Sequence, residues 1–128
     1  MYHKIKNYNI FRGKDLEIAD LIQRRRYQLL IHSCIYYHLG DSIVHDGQWD
    51  EWARELVELQ QEYPDISKKV TLYEYFKDWD AVSGFYLPIT LDWVVEKAER
   101  LIKGSYIVST LQKQQSKKAS TAQKRRLF

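Results

Sequence analysis

The chain has 128 residues, 45% apolar and 14% aromatic, with one cysteine and a net charge of +3. That length holds one domain with a single modest core, and that apolar content excludes an intrinsically disordered chain. A lone cysteine excludes an intramolecular disulfide, and no run approaches the ~20 apolar residues of a membrane span, so the reading is a soluble, cytoplasmic protein with no membrane partner.

The charge is unevenly placed. From Gly104 to Phe128 lie Lys113, Lys117, Lys118, Lys124, Arg125 and Arg126, with no acidic residue. Taking these six from the net +3 leaves −3 on residues 1–103, so a mildly acidic body carries a basic end.

Residues 1–13 mix Tyr2, Ile5, Tyr8, Ile10 and Phe11 with Lys and Asn and have no clean period, which predicts an extended arm that docks aromatics on the body. A first helix is expected from about Asp15, as cap, to Gly40, a residue suited to a left-handed stop. Its buried face reads Ile18, Ala19, Ile22, Leu29, Leu30, Ser33/Cys34 and Tyr37 at three- and four-residue spacing. Arg24, Arg25 and Arg26 interrupt that face. They form either a solvated strip whose stems cover neighbours, or an anion-binding cluster whose guanidinium forks suit phosphate.

Asp41 to His45 read as a loop pinned by Ile43 and Val44. Asp46 then caps a second helix with Trp49, Trp52/Ala53, Leu56, Leu59/Gln60 and Tyr63 inward and Glu51, Glu55, Glu58 and Glu62 outward, ended by Pro64. A third helix is expected over 67–77, then a packed loop broken by Gly84 and Pro88. The fourth runs from about Leu91 to Lys103, capped by Thr90 and closed by Gly104. Ser105 to Leu111 could start another turn or helix, and the polar, basic remainder has a disordered composition. The fold class is therefore all-α: about four helices over 14–104, with an N-terminal arm (1–13) and a flexible, partly disordered basic tail (105–128).

Chemistry concentrates where the first two helices meet. Tyr37 and His38 end one; Asp46, Trp49 and Asp50 open the other, and the spacing i, i+3, i+4 puts the last three on one helical face. Each also has an ordinary structural explanation: a cap, a core aromatic, an amphipathic ring near a helix end. Four histidines and one cysteine give no structural-zinc spacing, and there is no glycine-rich phosphate loop.

Tyr37-His38, Asp46, Trp49-Asp50, Arg54-Glu55-Leu56 and Pro64-Asp65 together resemble a run in the N-terminal helical domain that precedes the adenylation domain of NAD-dependent DNA ligases. The resemblance covers about residues 15–66. It implies a site for nicotinamide mononucleotide or NAD, with Tyr37 and Trp49 as stacking rings, His38 at the phosphate or ribose, and Asp46 and Asp50 as carboxylates toward the ribose or the cationic ring. Trp49 stands where the family has Tyr, and the loop before Asp46 is one residue shorter. No Lys-x-Asp-Gly adenylation motif occurs; the one Asp-Gly pair, Asp46-Gly47, follows His45. The expectation is thus a non-enzymatic protein that requires no cofactor.

Two functions follow. One is a phage-type accessory or inhibitor protein on a ligase-like scaffold, binding a host protein or protein–nucleic-acid complex such as a defence nuclease. The other is a nicotinamide mononucleotide or NAD-binding module. The basic tail, with Arg24, Arg25 and Arg26, supplies candidate contacts to nucleic acid or an acidic partner, and Leu127-Phe128 could anchor in a protein groove.

Overall fold

A computed structural model describes residues 10–126, the stretch from Lys113 onward as backbone only. Tyr2, Ile5 and Tyr8 of the arm, and Leu127-Phe128, lie outside the described residues. All regular structure among those described is helical. Helix α1 spans Lys14–Ser33 and runs into a π-helical turn, Cys34–His38; α2 spans Asp46–Glu62, α3 Pro64–Lys69, α4 Tyr73–Phe76 and α5 Asp92–Arg126.

The core forms where α1, α2 and α5 meet. Ile22, Leu29 and Leu30 of α1, Leu56 of α2, Phe76 of α4 and Val94 of α5 are all completely buried. Phe11, from the arm, is buried with them, while its neighbour Ile10 is half exposed. The gap in the α1 apolar pattern is filled by Tyr27, whose ring lies 5.5 Å from that of Trp93, and by Arg26.

Arg26 fits neither sequence reading of the arginine triplet. It has no solvent exposure, and all five of its N–H groups are engaged. Nε donates to Gln60 Oε1 at 3.0 Å; Nη1 donates to the carbonyls of Val70 and Thr71; Nη2 donates to the carbonyl and the hydroxyl of Ser67. Burial pulls its pKa down to about 10. The side chain replaces the solvent that the carbonyls at the end of α3 would otherwise need. Gln60 completes the tie by donating to the carbonyl of Phe76 at 3.0 Å. Arg24 instead faces solvent and pairs with Asp20, and Arg25 reaches Glu55 at 2.9 Å. Three successive helical residues point about 100° apart, so the triplet offers no common anion-binding face.

Several boundaries differ from expectation. Neither Asp15 nor Asp46 is a cap: Gly13 and His45 hold those positions, and no side chain bonds the first-turn amides. Asp46 is instead the first residue of α2, where its charge still suits the helix dipole. The third helix divides, because Val70 is extended and Leu72 adopts a left-handed φ of 72°. Pro64 both ends α2 and opens α3, as its fixed φ and missing N–H allow at a first helical position. Gly40 does take the left-handed conformation, φ 66°. Gly104 does not stop its helix. A single helical glycine costs only about 1 kcal/mol relative to alanine, and the good helix formers after it carry α5 to Arg126.

Candidate ligand site

The corner between α1 and α2 encloses an open cavity of about 300 Å³. The π turn shapes one wall. Leu39 N–H bonds the Cys34 carbonyl at 3.0 Å, five residues back, and Asp41 N–H reaches Ile35 at 2.9 Å. The wider turn narrows the angle between successive side chains, and the Tyr36 and Tyr37 rings meet edge to face at 4.8 Å. The opposite wall is the first turn of α2, where Asp46, Trp49 and Asp50 project as their spacing requires.

Of the five residues named by resemblance, the structure thus brings Tyr37, Asp46, Trp49 and Asp50 to one cavity. His38 is exposed at the end of the π turn and does not line that cavity. The α1–α2 loop closes the rim through Ile43 and Val44, both half-buried, as their role as pins predicts. The loop is braced from α5: Tyr106 Oη donates to Asp41 Oδ2 at 2.6 Å, which holds the Asp41 carboxyl below its usual range.

The floor holds two residues that sequence reasoning did not assign to the site. His32 and Ser33 line the cavity, 9% and 1% exposed respectively. Their Nδ1 and Oγ atoms are buried without a hydrogen-bond partner among the described residues. Burial pushes the His32 pKa down to about 4, so the ring is neutral at physiological pH, and it lies 5.3 Å from the Trp52 ring. The signal was present in the numbering: 32, 33, 36 and 37 share one helical face.

The third wall comes from the segment between α4 and α5. Trp79 stacks edge-on against Trp49 at 5.9 Å, and its indole N–H donates to the Ser83 carbonyl at 2.8 Å. Ser83 Oγ shares a 3.0 Å hydrogen bond with the Tyr37 hydroxyl, and Phe85 packs on the Tyr37 ring at 5.5 Å. Gly84 lies directly over Ser33. Val82 completes the lining and is 80% exposed; Tyr86, next to Phe85, is 91% exposed.

The basic residues from Lys113 to Arg126 lie on the distal part of α5. Residues 106–112 are exposed, so the helix has already left the body before the basic stretch begins. No helix among the described residues is long and apolar enough to cross a membrane, and none of their His, Cys, Asp and Glu side chains form a metal-binding group.

Known proteins resemble part of this chain. It is 32% identical over 50 residues to the DNA ligase of Thermotoga petrophila, a match covering 39% of the chain and 7% of that protein. It is 34% identical over 50 residues to the DNA ligase of Pseudothermotoga lettingae, and 35% identical over 63 residues to that of Psychrobacter cryohalolentis, which covers 48% of the chain and 9% of the relative. The chain therefore contains a ligase-like segment and spans less than a tenth of the length of these relatives. No family profile matches the chain, and no solved structure matches it.

Proposed function

We propose that the chain is a non-catalytic binding module for a pyridine nucleotide, holding nicotinamide mononucleotide or the equivalent half of NAD. The observation that carries this reading is the convergence of Tyr37, Asp46, Trp49 and Asp50 on one cavity. Two flat rings with two carboxylates suit a planar cation bearing a ribose: rings attract cationic faces, and carboxylates accept hydroxyl hydrogens and offset the ring charge. The local similarity to DNA ligases supports the same ligand class. A volume of about 300 Å³ is at the small end for ligand sites and suits a ring with its ribose better than a whole dinucleotide.

Titration calorimetry tests the reading. Nicotinamide mononucleotide should give a saturable heat with the wild type that Asp50→Ala greatly weakens. No heat at millimolar ligand removes the proposal.

A second reading is favoured by the exposed rings beside the cavity mouth. Tyr36, Phe85 and Tyr86 stand 58%, 54% and 91% exposed, together with Val82. Such a cluster is the composition expected of a protein-docking surface. It supports a phage-type accessory role in which this face binds a host protein or protein–nucleic-acid complex, with the basic end of α5 reaching nucleic acid. Capture of one discrete bacterial protein by the wild type but not by a Phe85→Ala/Tyr86→Ala variant supports that role; equal capture by both removes it. Deleting residues 112–128 should weaken any nucleic-acid association more at low salt than at high salt.

A further inference from the structure

The outward face of α5 carries an apolar stripe that the body does not cover. Leu101, Gly104, Val108 and Leu111 recur at spacings of three, four and three, so they share one side of the helix, with Ile107 at its edge. Leu101, Ile107, Val108 and Leu111 stand between 41% and 53% exposed. Gly104 leaves the middle of the stripe open, since a Cβ built there meets nothing within 4 Å. Tyr106 points to the opposite side of α5 and donates to Asp41, which holds the stripe toward solvent. A continuous row of exposed apolar side chains marks an interaction surface.

We propose that this stripe pairs antiparallel with the same stripe of a second copy of the chain. The proposal is independent of the nucleotide reading, because none of these residues lines the corner cavity.

The stripe is self-complementary, as a two-fold interface requires. Its spacing is that of positions a and d over two heptads, the pattern that packs knobs into holes between paired helices. With the two-fold axis at the level of residue 106, Leu101 meets the second copy's Leu111, and the open space at Gly104 receives its Val108. Tyr106 stays on the outer side, still bonded to its own Asp41. Before Leu101, the same side of α5 carries Glu96 and Arg100, exposed and paired with each other, so the second helix continues over polar surface and meets no core.

Charge sets the direction. Residues 113–126 hold six basic side chains and no acidic one. A parallel pair would run both stretches side by side at an interaxial distance of about 8–10 Å. That is close to the screening length of about 8 Å in physiological salt, so the repulsion would be felt along the whole stretch. An antiparallel pair sends them in opposite directions, starting about 20 Å apart. The stripe is only about 15 Å long, so its dimer is weak and concentration-dependent.

Sedimentation equilibrium of the full chain tests the pairing. The weight-average mass should climb from 15.4 kDa toward twice that value between micromolar and millimolar concentration. Val108→Asp sets a charge into the seam on each copy and should weaken association at least tenfold. Thr110→Asp, on the opposite face, should leave it unchanged, with circular dichroism confirming equal helix content. Direction is read by oxidising Leu101→Cys and Leu111→Cys variants, alone and mixed; buried Cys34 stays out of the reaction. The mixture should form the mixed disulfide faster than either variant forms its own. A wild type that stays monomeric, equal association of Val108→Asp, or self-linked disulfides forming as fast as the mixed one overturns the proposal. A monomer that instead binds phosphatidylserine vesicles, or one bacterial protein, in a Val108-dependent way also overturns it and assigns the stripe to that partner.

Discussion

Gly84 lies so close over Ser33 that a Cβ built on its backbone would come within 1.9 Å of the serine hydroxyl oxygen and 2.5 Å of its Cβ. This contact joins the α4–α5 segment to the end of α1, next to the Trp49 ring 3.5 Å away. Because Ser33 is 1% exposed, it has no space into which to retreat.

Gly84→Ala should therefore destabilise the protein by about 1–3 kcal/mol, the range for overpacking a filled site. Chemical denaturation of Gly84→Ala, Ser33→Gly and the double variant gives the coupling. The double variant should recover part of the loss despite the helical cost of a glycine at position 33. Strict additivity would show that the two residues do not oppose each other.

Arg26 should be among the most sensitive positions in the chain. Arg26→Leu removes five donors and leaves the Ser67 and Val70 carbonyls buried and the Thr71 carbonyl part-buried without them, at a cost of roughly 3 kcal/mol or more. Arg26→Lys keeps the charge but cannot reproduce the fork, so it should lose nearly as much. Arg24→Ala, two residues away in an exposed pair, should change stability by less than about 1 kcal/mol. Urea titration of the three variants checks the ranking.

His32 gives acid sensitivity of a defined sign. Its folded pKa, about 4, lies below its ordinary value of 6.5, so between these limits the unfolded chain binds more protons. The stability associated with the neutral ring is fully present above pH 6.5 and is lost as the pH falls toward 4. The loss is at most ~3 kcal/mol. Urea titrations at pH 7.5 and 4.5 should show a larger fall for the wild type than for His32→Gln, in which that group no longer titrates. An equal fall would assign the acid sensitivity to the carboxylates.

Gly104→Ala should stabilise α5. The added methyl meets nothing within 4 Å, and Gly104 has helical neighbours on both sides. A gain of about 0.5–1 kcal/mol is expected, visible as a higher melting temperature by circular dichroism. A lower one would mean that the helix needs to yield at this point.

Local rules made the two-helix corner legible. Gly40 and Pro64 punctuate it through backbone geometry that only those residue types favour, and the i, i+3, i+4 spacing of Asp46, Trp49 and Asp50 fixes a common face once a helix is present. The features that escaped depend on distant partners. Arg26 looks like a surface residue until the carbonyls of residues 67–71 come to meet it. His32 and Ser33 look like core and are buried as core, and they border the cavity only because the π turn and the start of α2 enclose it. The division of the third helix turns on the left-handed Leu72, a conformation that its side chain disfavours, and the Arg26 and Gln60 bonds hold the chain on either side of it.

The departure of α5 from the body has an electrostatic consequence. At 1.5 Å per residue, Lys113 stands about 10 Å and Arg126 about 30 Å along the axis from Tyr106, the last residue tied to the α1–α2 loop. Physiological salt screens charges over about 8 Å. The cationic end is thus insulated from the two aspartates at the corner, and neutralising its lysines should alter long-range encounter with polyanions while leaving small-molecule affinity untouched.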